Sequence, residues 1–256
     1  MLFQIRSYFK FLWKSTNQHG IHSPFVFDLL SKCLYDRKKK PSYLILKKFR
    51  KSLLQNGNII EVTDFGAGSK IFKSDSRKIS SIAKNAGLSV TRAQTLYRIC
   101  HYFKPKNVLE IGTSLGLATS AMSLGNSKAT IFTLEGCPET AAIAKQQFKD
   151  FGFDNINVIV GEFGAFLDNQ NKNFDLVYFD GNHQKEATLK YFSQLLPATK
   201  NETVWIFDDI HWSAEMETAW EIMKNHPKVT VTIDTFQWGI VFFRKEQPKE
   251  HFVIRT

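Results

Sequence analysis

Val108-Leu-Glu-Ile-Gly-Thr-Ser-Leu-Gly116, followed further on by Ala129-Thr-Ile-Phe-Thr-Leu-Glu135, decides the fold of this chain. The first stretch reads as a buried strand running into a glycine turn that opens a helix. The second reads as another buried strand that ends on a single carboxylate. Such a unit holds a nucleoside in a doubly wound α/β domain: the glycines let backbone approach the ligand, and the terminal acid accepts hydrogen bonds from a ribose diol. Spacing narrows the ligand. A dinucleotide fingerprint, G-x-G-x-x-G, uses its middle glycine to make room for a pyrophosphate. Glu110 to Gly116 instead reads E-x-G-x-x-x-G, with Thr113 and Ser114 inside the turn and no third glycine. A ligand without phosphates, such as S-adenosylmethionine (SAM), fits this turn better.

Working outward, strands are predicted near 107–112, 129–135, 156–160, 174–180 and 203–208, with helices near 115–124, 138–151, 184–195 and 213–225. This alternation is the rhythm of a parallel sheet covered on both faces. Two β-rich runs, 229–233 and 238–243, are joined by only a few residues, which forces antiparallel pairing. Upstream, apolar spacing and start signals predict helices over 3–13, 24–34, 41–55 and 90–103. The expected architecture is a doubly wound, mostly parallel seven-stranded sheet with a C-terminal antiparallel hairpin. The division expected is a helical extension over 1–106 and a Rossmann-like domain over 107–256.

The charge divides at the same place. Of 256 residues, 34 are Lys or Arg and 24 Asp or Glu, a net charge of +10. Residues 1–106 hold 21 basic against 5 acidic side chains, and the remainder is acidic overall. A basic appendage on an acidic domain points to an anionic partner, or to a solvated cap that also packs on the acidic domain. No apolar run reaches the length of a bilayer span, and the alternation of apolar residues with Arg6, Lys10 and Lys14 does not read as a signal peptide. The cysteines, Cys33, Cys100 and Cys137, are odd in number and far apart, which argues against a disulfide framework or a zinc site and fits a reducing cytoplasm.

Glu110-Ile-Gly-Thr-Ser-Leu-Gly116, Leu134-Glu-Gly-Cys-Pro-Glu139, Phe174-Asp-Leu-Val-Tyr-Phe-Asp-Gly-Asn-His183 and Trp205-Ile-Phe-Asp-Asp209 come in order, each at the end of a predicted strand. With them, residues from about 107 to 243 resemble a class I SAM-dependent methyltransferase, most closely the small-molecule O-methyltransferases of the catechol and caffeoyl-CoA type. The resemblance implies SAM as cofactor. It places Gly112, Thr113, Ser114 and Gly116 around the methionine part, and it has Glu110 organising that loop and its ligand. Glu135 then takes the ribose hydroxyls, and Glu162 either accepts from the adenine amino group or serves a helix N-terminus.

A second constellation lies at the ends of the fourth and fifth strands. Asp180, Asp208 and Asp209 repel one another unless a cation or proton sits among them, and hard oxygen ligands in an open site suit Mg²⁺ or a similar divalent ion. Such a metal would lower the pKa of the hydroxyl to be methylated. Metal-dependent members of the resembled group carry Asp-Asn where this chain has Asp208-Asp209. The alternative is that Asp180 and Asp208 orient loops or the cofactor's ammonium group. His183 and His211 are candidates for general base, metal ligand or plain loop residue, and Asp180 joins them as a candidate catalytic group. Trp212 and Trp238 are candidates for an aromatic wall around the acceptor, or for ordinary packing.

The segment Ile59-Ile-Glu-Val-Thr-Asp-Phe-Gly-Ala-Gly-Ser69 also looks like a strand and glycine turn, but no second strand with a terminal acid follows. Asp64 to Ser69 is therefore expected to form a lid over the site. His19-Gly-Ile-His-Ser-Pro-Phe25 is distinctive, with no mechanism attached. The function expected is O-methylation of a small or carrier-linked, anionic or neutral, acceptor. An RNA methyltransferase and a non-catalytic SAM-binding interaction module are the alternatives; nucleic acid is not favoured, since no stacking platform or RNA-binding module is present. By analogy with related enzymes, a homodimer is expected.

Overall fold

A computed structural model of the chain describes residues 2–63, 74–170 and 172–256. The expected lid over 64–69 lies outside the described residues.

The chain begins with α1 (Leu2–Lys14), α2 (Pro24–Leu29), which continues as a wider turn over Leu30–Leu34, and α3 (Ser42–Gln55). Ser23 caps α2 through its hydroxyl, with Pro24 in the first turn where a missing N–H costs nothing. A short antiparallel pair, β1 (Ile59–Glu61) and β2 (Ser76–Lys78), leads into α4 (Ile79–Asn85) and α5 (Val90–Phe103). The first strand of the former "strand and glycine turn" segment thus belongs to a separate small sheet.

The main sheet follows: β3 (Asn107–Ile111), α6 (Leu117–Gly125), β4 (Thr130–Glu135), α7 (Pro138–Asp150), β5 (Ile156–Val160), α8 (Phe163–Asn169), β6 (Leu176–Phe179), α9 (Lys185–Leu195), β7 (Val204–Asp208), α10 (Ala214–Asn225), β8 (Val231–Asp234), β9 (Trp238–Phe242) and β10 (Glu250–Val253). Their order is β10-β8-β9-β7-β6-β3-β4-β5, with β9 antiparallel to both neighbours and every other pairing parallel. The sheet has eight strands where seven were expected. The added strand, Glu250-His-Phe-Val253, sits at the edge and pairs with β8; its charged, half-exposed sequence gives no alternating or continuous apolar run.

Neighbouring residues along each strand feed opposite cores, as a doubly covered sheet requires. Val108, Ile131, Val204 and Ile206 join the core beneath α2, α3, α5 and α6. Leu109, Ile111, Trp205 and Phe207 join the core beneath α9 and α10. The N-terminal helices therefore share one side of the sheet with α6 and α7. Phe49 of α3, fully buried, packs on Phe148, Phe151 and Phe153 in and after α7 at ring separations of 6.2, 5.0 and 6.2 Å. Among the described residues no helix is long and apolar enough to cross a membrane, and Cys33, Cys100 and Cys137 are buried free thiols.

Candidate active site

The chain leaves β3, steps outward through β4 and β5, and returns on the other side of β3 as β6. The crevice above the carboxyl ends of β3 and β6 is the switch point where this class of sheet binds ligands. Gly112 turns the chain there at φ 101°, and a Cβ on it would lie 2.5 Å from the Asp180 carbonyl oxygen, so only glycine fits. Ser114 (φ 48°) and Gly116 (φ 79°) continue the left-handed turn into α6, and Gly116 lies so close to Phe148 that a Cβ would overlap its ring.

Glu135 pins this turn. Its Oε2 accepts from the Ser114 N–H at 2.7 Å and its Oε1 from the Cys137 N–H at 2.9 Å. Each oxygen has lone-pair capacity beyond one such bond. The Gly112 and Thr113 N–H groups both donate to the Leu134 carbonyl at 3.0 Å, and the Thr113 and Thr133 hydroxyls share a 2.5 Å bond. The result is a cradle of backbone around a half-buried carboxylate.

Glu110 lies underneath. It is fully buried and accepts through one oxygen from the Thr119 and Thr133 hydroxyls, while its other oxygen has no partner. Burial pushes its pKa up to about 8, against the pull of the two hydroxyls. Glu110 braces the turn from below and does not open onto the crevice. Glu162 takes the helical alternative: it caps α8, accepting from Gly164 and Ala165 N–H at 2.9 and 2.6 Å.

The acidic constellation differs from the one expected. Asp208, only 5% exposed, is paired with Arg92 of α5. The Tyr178 hydroxyl (3.3 Å) and the Asp209 N–H (2.9 Å) donate to the same carboxylate. The guanidinium also lies 5.1 Å from the ring centre of Trp238, a cation–π contact. Asp209 adopts a left-handed conformation (φ 51°), its N–H also reaching the Gln237 carbonyl at 2.7 Å. Among the described residues no group of three or more His, Cys, Asp or Glu is arranged to hold an ion. Of the expected metal set of Asp180, Asp208 and Asp209, Asp208 is met by a guanidinium, which supplies positive charge to the clustered acids. Arg92 gives no sequence signal, being one of many basic side chains in the extension.

Asp180 faces the crevice. Its burial, then the adjacent Asp208 with which it shares a hydrogen bond, push its pKa well above the usual carboxylate range, opposed by Arg92. His183 Nε2 stands 3.7 Å from Asp180 Oδ1, with the Trp212 ring 6.5 Å from the imidazole.

His211 is engaged on both ring nitrogens. Its Nδ1 lies 2.7 Å from Glu217 and its Nε2 2.9 Å from Asp234, and its ring stacks on Phe236 at 5.0 Å. Burial would lower its pKa, but the two carboxylates outweigh that and raise it. With both ring nitrogens committed to carboxylates, His211 bridges α10 and β8. Trp238, buried against Tyr178, belongs to the core and not to an acceptor wall.

The crevice lies at the switch point of this strand order. Residues 109–210 match the family described as a methyltransferase domain, and that segment of the chain is a methyltransferase domain. Among solved structures, the chain is similar to the methyltransferase PaMTH1 of Podospora anserina bound to SAH (16% identity, TM-score 0.62, covering 88% of this chain and 97% of that one). It is also similar to an O-methyltransferase of Bacillus cereus in complex with SAH (18%, 0.56, 82% and 94%). A third is TomG, an O-methyltransferase of Streptomyces achromogenes involved in tomaymycin synthesis, in complex with SAM (13%, 0.57, 82% and 93%). No curated protein sequence matches the chain.

Proposed function

We propose that the chain methylates a hydroxyl oxygen of a small or carrier-linked acceptor, with SAM as donor and without a metal. The observation that carries this reading is the glycine cradle pinned by Glu135 and closed against Asp180 at the switch point. The O-methyltransferases with the same fold, bound to SAM or SAH, support it. SAM, when bound, supplies an electrophilic methyl group.

Gly112 to Gly116 would hold its methionine part and Glu135 its ribose hydroxyls. His183 accepts the proton of the acceptor hydroxyl, being the imidazole at the crevice with uncommitted capacity, and Asp180 orients it. Arg92 pairs with Asp208 beside it.

Calorimetric titration of SAM, followed by transfer assays on a panel of hydroxylated acceptors with and without chelator, tests the reading. We expect binding that Glu135→Ala weakens by about tenfold or more, the loss of roughly one good polar contact. His183→Ala should lower kcat by about a hundredfold with SAM affinity kept. Absence of SAM binding would overturn the function, and activity abolished by chelation would overturn the metal-free part.

A further inference from the structure

Helix α1 is amphipathic the wrong way round for a surface helix. A helix on a globular protein ordinarily turns its apolar stripe inward. Here the buried residues are Ser7 and Phe11, and Ser7 hydrogen-bonds Glu217 while Phe11 packs on Phe236 at 5.5 Å. The opposite side carries Leu2, Ile5, Phe9 and Trp13, recurring every three or four residues; Leu2, Phe9 and Trp13 are 87%, 66% and 86% exposed. Arg6, Lys10 and Lys14, all exposed, follow this stripe along one border, and the helix contains no acidic residue.

An exposed apolar stripe of this kind has a partner. Trp, Phe and Leu on one face with Lys and Arg beside them is the pattern of a helix lying in a lipid interface, rings at headgroup depth and cations toward anionic headgroups. A second copy of the chain would set this basic border, and a strongly basic extension, against its own like charge.

The helix also sits where a membrane contact would matter. Tyr8 packs on Phe236 at 4.9 Å, and Phe236 lies in the turn between β8 and β9 that bonds Asp209. Helix α1 thus docks at the carboxyl end of the sheet, where Asp208 and Asp209 lie. We propose that α1 seats this protein on an anionic lipid surface through Leu2, Ile5, Phe9 and Trp13, with Arg6, Lys10 and Lys14 meeting the headgroups.

Flotation of the full chain with vesicles of phosphatidylcholine alone, or with phosphatidylglycerol added, tests the proposal without SAM, so its failure is separate from failure of the methyl-transfer reading. Expected is co-flotation with the anionic vesicles that weakens with salt. Both Phe9→Ser with Trp13→Ser and Lys10→Glu with Lys14→Glu should reduce it by roughly tenfold or more. Unchanged melting curves would show that the exposed substitutions leave the fold intact. The proposal is overturned if the native chain stays unbound, or if both double variants float as well as it does. It is equally overturned if sedimentation shows a dimer that Phe9→Ser with Trp13→Ser makes monomeric, which would assign the stripe to a second copy.

Discussion

Two side chains carry unusual electrostatic cost. Asp208 is buried and its charge is met by one guanidinium, so Arg92→Ala would strand it. We expect a loss of about 3 kcal/mol in denaturant unfolding, because removing one partner leaves an uncompensated buried charge. The double variant Arg92→Ala with Asp208→Asn should recover much of that loss, since the remaining amide needs no counter-charge. Glu110 behaves in the opposite sense to a paired acid. A carboxyl whose pKa rises on folding costs nothing below its unfolded value of 4.5 and its full penalty above about 8, so stability falls as the pH climbs through that interval. Glu110→Gln keeps an acceptor for Thr119 and Thr133 and removes the titration. Melting curves of the two proteins should nearly coincide at about pH 5 and separate by several degrees in favour of the variant at about pH 9.

At the scale of elements, the N-terminal helices are a structural part of one core. Its helix α3 meets α7 through Phe49, and its helix α5 delivers Arg92 to the site. Phe49→Ala should cost about 3–5 kcal/mol, measured by chemical denaturation, because the surrounding rings are fixed by backbone and cannot collapse into the space. What was legible beforehand follows from how local each signal is. The turn from Gly112 to Gly116 and the acid at Glu135 were readable because a positive φ and a strand-terminal carboxylate each leave a mark within a few residues. The fate of the acids was not. Whether Asp208 meets a metal or an arginine depends on a side chain more than a hundred positions away, and nothing around Arg92 announces it. The partners of His211 were hidden for the same reason, since Glu217 is near in sequence but Asp234 joins only through the final hairpin. The edge strand β10 escaped because an edge needs little apolar surface, and its pairing with β8 is supplied by backbone.

For the molecule as a whole, one small contact sets an order of events. Thr16, just beyond α1, forms a parallel bridge to Ile254, the Arg255 N–H donates to the Thr16 carbonyl at 3.1 Å, and the Tyr35 hydroxyl reaches the Arg255 carbonyl at 2.6 Å. The first helix thus takes its seat from some of the last residues described, a closure across nearly the full sequence that must wait for the sheet between them. During synthesis α1 emerges before its docking surface at Phe236 is made, with its rings uncovered. Until β8 and β9 have been added, that helix is a loose end, and shielding it from aggregation during that interval falls to whatever else is at hand in the cell.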